Sequence, residues 1–202
     1  MKHAVIFDFG GVLMKTEDYS YRHRWDDRLG LARGQVEQVV HGSPSWRMAQ
    51  TGTLSVDDYW ADVAQTLQLS PEDLVELKAD FFRGDRLDLG LIDYIRELRE
   101  RGHTIALLSN DSPALIDKLR DLAILELFDP LVISALIGVM KPAPPAYQYV
   151  LTALGRPAQE TIFIDDMPDN IAAAQALGIH GLLYHATLAL KPVLESKLTS
   201  VQ

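Results

Sequence analysis

The sequence predicts an α/β fold, a doubly wound parallel sheet carrying a small helical cap, and three observations lead there. Short apolar runs recur at residues 4–7, 104–108, 131–134, 161–164 and 182–184, each closed by a polar or turn residue. Stretches with helical spacing of apolar residues separate the later runs. A long helical texture without a clear strand interrupts this alternation between the first run and the second. Continuous apolar runs suit strands buried on both faces. Strands alternating with helices supply the layers that cover such a sheet.

The first run, Ala-Val-Ile-Phe, ends in Asp8, and Gly10 and Gly11 then signal a tight turn. From residue 15 to 86 aromatic and charged residues mix at helical spacing, among them Tyr19, Trp25, Trp46, Tyr59, Trp60, Phe81 and Phe82. Ser55 before Val-Asp-Asp and Ser70 before Pro-Glu-Asp read as helix N-caps. Residues 91–101 form an amphipathic helix through Leu91, Ile92, Ile95 and Leu98, stopped by Gly102. Ser112-Pro113 opens a helix carrying Leu115, Ile116, Leu119 and Leu122. Pro144 and Pro145 open another that ends at Gly155, and Pro168 begins one stopped by Gly178. The division expected is a core made of residues 1–14 and 87–202, with a helical cap, 15–86, inserted in it.

Bulk properties narrow the chemistry. The 202 residues are 48% hydrophobic and 23% charged, an ordinary globular composition that argues against wholesale disorder. A net charge of -9 makes nucleic acid a poor partner. A small anionic substrate then needs local positive charge or a metal. Without cysteine the chain has no disulfide, thiolate nucleophile or thiolate metal site. The apolar run before Asp8 is too short for a signal peptide or a membrane span, and no later stretch qualifies. The expectation is a cytoplasmic protein with no membrane partner. The six histidines show no zinc spacing, and the Gly-x-Gly-x-x-Gly dinucleotide fingerprint is absent after the first strand.

In open parallel sheets ligands bind at the carboxyl ends of the strands. Asp8, Ser109, Asp165 and Asp166 fall at those ends. Asp165 and Asp166 repel each other unless a cation or a proton intervenes, and hard oxygen ligands suit magnesium. Ser109 and Asn110 precede a helix, where a hydroxyl and amides hold phosphoryl oxygens. Gly10 and Gly11 let backbone amides approach a ligand. Lys141, in a short loop before a helix, is set to neutralise a phosphate beside Asp8. Read one at a time, each of these residues also fits a structural role, as a turn former, a cap or a solvated charge.

Taken together, Asp8-Phe-Gly-Gly-Val-Leu, Leu108-Ser109-Asn110, Lys141-Pro142 and Ile164-Asp165-Asp166-Met-Pro-Asp-Asn170 resemble the four ordered motifs of the haloacid dehalogenase-like hydrolases. The resemblance spans nearly the whole chain. The helical insertion resembles that superfamily's first class of cap, and the chain looks like small bacterial sugar-phosphate phosphatases, including the alpha-glucose-1-phosphate type. The resemblance implies an aspartyl phosphate on Asp8. It implies phosphate binding by Ser109 with help from Asn110, Gly10 and Gly11, and charge stabilisation by Lys141. Magnesium would be held by Asp8, the Gly10 carbonyl and Asp166, with Asp165 further out.

One departure stands out. Phosphatases of this kind carry a second aspartate two positions after the nucleophile as general acid, and here that position is Gly10. Such a group contributes about 10²–10⁴-fold in rate. Glu17, Asp18 and His23 are the candidates to replace it from the cap. Tyr19, His23, Trp25, Trp46 and Arg47 are the candidates to touch substrate. Two alternatives stay open: a 2-haloacid dehalogenase that uses Asp8 without metal or leaving-group proton, and a degenerate member that binds a phosphometabolite with little catalysis.

Overall fold

A computed structural model describes residues 2–200. In chain order the elements are β1 (Ala4–Phe7), β2 (Met14–Thr16), α1 (Ser20–Arg28), α2 (Gln35–Gly42), α3 (Pro44–Gln50), α4 (Val56–Leu67) and α5 (Pro71–Phe81). Then follow β3 (Asp85–Leu87), α6 (Leu89–Glu100), β4 (Thr104–Ser109), α7 (Leu115–Asp121), β5 (Leu131–Ile133), α8 (Ser134–Ile137) and α9 (Pro144–Leu154). The chain continues through β6 (Thr161–Asp165), α10 (Pro168–Ala176), β7 (His180–Leu183) and α11 (Leu190–Ser200). Five strands form one parallel sheet in the order β5-β4-β1-β6-β7.

The period-two alternation of strand side chains divides the core in two. Val5, Phe7, Ile105, Leu107, Ile162 and Ile164 face α6, α7 and α11. Ile6, Ala106, Leu108 and Phe163 face Tyr147 and Val150 of α9 and Ile171 and Ala174 of α10. Helices therefore cover both faces of the sheet, as the sequence predicts.

Residues between β2 and β3 build a third apolar cluster from α1 to α5, centred on Trp25, Val36, Val40, Tyr59, Val63, Leu77 and Phe81. Ser55 and Ser70 cap α4 and α5 by accepting the N–H groups of Asp58 and Asp73. The expectation of no strand in this stretch is corrected. Its two ends pair as an antiparallel ribbon, Met14 with Leu87 and Thr16 with Asp85. The expected boundaries at 14/15 and 86/87 fall inside that ribbon. Three residues pairing with three others about 70 positions away carry no local signal, so only the folded chain reveals the ribbon.

Buried charges fasten the ribbon. Arg22 donates to Glu37 (2.8 Å), Asp85 (3.0 Å), the Thr16 hydroxyl (2.7 Å) and the Phe81 carbonyl (2.9 Å). Lys118 of α7 reaches Asp85 from the other side at 3.5 Å. Smaller differences concern boundaries. The helix expected from Ser112 starts at Leu115, the last strand is His180–Leu183, and α8 and α11 lie where no helix is predicted. Among the described residues no helix is long and apolar enough to cross a membrane.

Candidate active site

The carboxyl ends of β1, β4 and β6 bring Asp8, Ser109 and Asp165 to one edge of the sheet. Asp8 follows β1, and its N–H donates to the Ile164 carbonyl at 2.9 Å, which fixes the start of the loop against β6. Its Oδ1 accepts from the Phe9 N–H (2.7 Å) and faces the Lys141 ammonium at 2.9 Å. The same ammonium lies 2.7 Å from Asp165 Oδ2. Asp8, Lys141 and Asp165 are 8%, 3% and 0% exposed, so this is a nearly dry charge cluster. Asp165 also receives Asn170 Nδ2 and the Met167 N–H (2.8 Å), which leaves it fully engaged.

Asp166 is half-buried, and its carboxylate is hydrogen-bonded by its own backbone N–H. Asp8, Asp165 and Asp166 each offer one carboxylate oxygen, all within 4.8 Å of one another. Burial, and then Asp165, push Asp8 up to about 7 against the pull of Lys141. Burial and Asp165 likewise raise Asp166. Three carboxylates against one ammonium leave negative charge uncompensated. A divalent cation bound by hard oxygen donors fits that excess.

The two glycines after Asp8 stand in different surroundings. The Gly11 N–H donates to the Met14 carbonyl (2.9 Å) and so is not free for a ligand. Its role is spatial: its φ is +75°, and a Cβ there would stand 2.1 Å from Asp166 Oδ2. Gly10 is exposed, and a Cβ there would meet nothing within 4 Å.

Asn110 braces the Lys141 segment. Its side chain donates to the Lys141 carbonyl and accepts the Lys141 N–H, both at 2.8 Å. Ser109 is 3% exposed, and its hydroxyl makes no hydrogen bond among the described residues.

Sequence reasoning missed Gln50. Its Nε2 donates to the Asn110 carbonyl (2.8 Å), and its backbone carbonyl accepts from the Ser134 hydroxyl (2.6 Å), tying α3 to the loop after β4. A lone glutamine at the end of a helix gives no sequence signal for this. His41 was missed as well. Its ring packs on Trp46 (5.4 Å) and Phe81 (4.9 Å) while the residue stays exposed to solvent.

The other candidates scatter. Trp25 is 1% exposed and donates to Asp80 at 3.0 Å, so it belongs to the helical core and not to a binding surface. Tyr19 stacks on His23 at 5.9 Å, and Arg47 is exposed. Glu17 and Asp18 are exposed beyond β2, and Asp18 accepts the Ser20 N–H. A groove of about 700 Å³ is lined by Val39, Pro44, Met48 and Asp62 and by none of the expected site residues.

Comparison with known proteins identifies the family. The chain is 29% identical over 193 residues to the sesquiterpene phosphatase astK of Aspergillus oryzae, covering 95% of this chain and 93% of that one. It is 27% identical to a D-ribitol-5-phosphate phosphatase of Bacteroides thetaiotaomicron, covering 86% and 87%. Its fold matches that of a HAD family enzyme from the same bacterium, solved with magnesium and inorganic phosphate. The TM-score is 0.81 at 20% identity, over 96% and 99% of the two chains. The family description haloacid dehalogenase-like hydrolase matches residues 2–178, and the chain belongs to that family.

Proposed function

We propose that the protein is a magnesium-dependent phosphatase of a small phosphorylated metabolite, working through an aspartyl phosphate on Asp8. One observation carries the reading: a buried carboxylate at a strand end touches a buried ammonium at 2.9 Å, beside two further carboxylates. An isolated pair of this kind would be structural. The surplus of carboxylates over cations is what a phosphoryl-transfer site needs in order to gather a divalent ion.

Phe9 N–H and Lys141 hold one oxygen of Asp8, which fixes the carboxylate for in-line attack on phosphorus. The P–O bond to the alcohol breaks as the bond to Asp8 forms, and water then cleaves the aspartyl phosphate. Lys141 neutralises charge on both nucleophile and phosphoryl group, and Asn110 holds the Lys141 backbone in place. The Ser109 hydroxyl serves a phosphoryl oxygen. Asp8, Asp166 and the Gly10 carbonyl would hold magnesium, with Asp165 behind them; when bound it supplies positive charge for the phosphoryl oxygens. The helical segment between β2 and β3 acts as the cap that admits and selects the substrate.

The relatives act on a polyol phosphate and on a sesquiterpene phosphate, so they support the phosphoryl group as the shared determinant and leave the alcohol open. The dehalogenase alternative sets a carboxylate substrate against three carboxylates of the protein, and that repulsion weighs against it.

The test is p-nitrophenyl phosphate turnover. It is expected to need magnesium and to vanish in Asp8→Asn. Full activity in EDTA, or a fully active Asp8→Asn, overturns the mechanism.

A further inference from the structure

Gly10 leaves the site without a side chain two residues past the nucleophile. An alkoxide leaving phosphorus nevertheless needs a proton. The candidates from the helical segment do not supply it. The hydrogen bonds from Ser20 hold Asp18 below the usual carboxylate range, the wrong direction for an acid. His23 of α1 stacks its ring on Tyr19, and Glu17 is exposed beyond β2.

Asp111 stands differently. It lies two residues past Ser109, in the loop that joins β4 to α7, and it is half-buried. Its backbone is pinned: the N–H donates to the Ser134 hydroxyl (3.0 Å) and the carbonyl accepts the Ala135 N–H (3.3 Å). Oδ1 accepts the Ser112 N–H at 2.6 Å. Oδ2 makes no hydrogen bond among the described residues. Gln50 reaches this loop from α3, through the Asn110 carbonyl and through Ser134. Asp111 thus lies two residues past Ser109, where the helical segment meets the loop after β4, and its carboxyl group has Lys118 and Tyr59 as neighbours and one oxygen uncommitted.

We infer that Asp111 is the proton donor to the leaving group, taking the place that Gly10 cannot fill. The inference rests on Asp8 being the nucleophile. In the first step an Asp8 oxygen bonds to phosphorus and the P–O bond to the alcohol breaks. The departing oxygen keeps the electron pair and takes the proton of the Asp111 carboxyl group. In the second step the Asp111 carboxylate accepts a proton from water as that water's oxygen attacks phosphorus. The P–O bond to Asp8 breaks, inorganic phosphate forms, and Asp111 is protonated again.

The surroundings suit the role. Burial pushes Asp111 up to about 6, against the Ser112 hydrogen bonds and the Lys118 ammonium of α7. The facing group from α4 is the Tyr59 phenol, which burial keeps neutral and which donates to the Val40 carbonyl at 2.8 Å. The remaining neighbours named, Ser112 and Ser134, are hydroxyls. An acid poised near neutrality can give and retake a proton.

The experiment compares aryl phosphates of equal shape and different leaving-group basicity, read as kcat/KM with magnesium. Asp111→Asn is expected to lower turnover of phenyl phosphate by about 100-fold, and of p-nitrophenyl phosphate, whose leaving group needs little protonation, by less than about 5-fold. With phenyl phosphate, wild-type kcat/KM should fall as pH rises through the Asp111 range, and the variant should lack that limb. Equal losses on both substrates, or no loss on either, overturn the inference. If Asp111→Asn fails to fold, Asp111→Ala assayed with added acetate makes the same test: rescue of phenyl phosphate turnover supports the role, and no rescue opposes it. Absence of p-nitrophenyl phosphate turnover in the wild-type protein instead overturns the Asp8 reading, so the two failures are distinguishable.

Discussion

At the carboxyl end of the sheet Asp8, Lys141 and Asp165 are almost wholly buried, and each is paired. At the amino end His3 is 2% exposed, and neither of its ring nitrogens has a hydrogen-bond partner among the described residues. Its neighbour His103 stacks on it at 6.1 Å and spends Nδ1 on the His3 backbone N–H. Both ends bury polar groups, but only one organises them. A buried charge without a partner is too costly to keep, so charges at the upper end are held in a network that also serves chemistry. An unsatisfied imidazole nitrogen costs about 1–3 kcal/mol, and the lower end tolerates it. Burial of a polar group therefore does not itself mark function. Convergent pairing does.

The comparison can be broken most strongly at Lys141. Lys141→Ala leaves Asp8 and Asp165 buried without their cation. The expected loss is about 3–5 kcal/mol in urea unfolding without metal, with activity reduced about 10²–10³-fold. Unchanged unfolding would mean that the network is not tight.

The next effect separates the two glycines. Gly11→Ala puts a methyl group on Asp166 and strains a left-handed backbone, so it should cost about 1–2 kcal/mol and weaken magnesium binding in calorimetry. Gly10→Ala meets open space and should stay within about 0.5 kcal/mol of wild type. Equal effects at the two positions would contradict the geometry.

Asn110→Ala removes both hydrogen bonds to the Lys141 backbone. We expect kcat to fall roughly 10–100-fold with a smaller change in KM, since positioning and not binding is lost. A pure KM effect would return Asn110 to phosphate binding.

The smallest effects belong to the amino end. His3→Leu should raise stability by about 1 kcal/mol in thermal unfolding, because it removes two unsatisfied atoms. His103 is held below its ordinary 6.5 by burial, then by Arg101 and His3. The unfolded chain then binds more protons than the folded one just below pH 6.5. The stability contributed by neutral His103 is present above that pH and is lost as pH falls toward the folded value. His103→Asn should flatten this part of the stability–pH curve.

Much of this molecule was legible without coordinates. Asp8 and the Asp165–Asp166 pair end apolar runs, and a parallel sheet necessarily gathers strand ends. Ser55 and Ser70 declared their caps because capping is a local event within four residues. The Gly11 amide and the Asn110 side chain bond to groups on a neighbouring turn or remote in sequence, which no local window reveals. Gly11 looked like an anion cradle and is instead the clearance for Asp166. Gln50 and Asp111 carried no motif at all.

The sequence by itself determined the strand–helix alternation, the order of the four motifs and the surplus of carboxylates at the strand ends. These follow from periodicity and residue chemistry within short windows. Only the tertiary structure decided which oxygen Lys141 touches, what Asn110 holds, how Gln50 reaches the loop after β4 and which carboxyl group keeps an uncommitted oxygen there. Those depend on contacts between segments tens of residues apart, where a few tenths of an ångström separate a hydrogen bond from none.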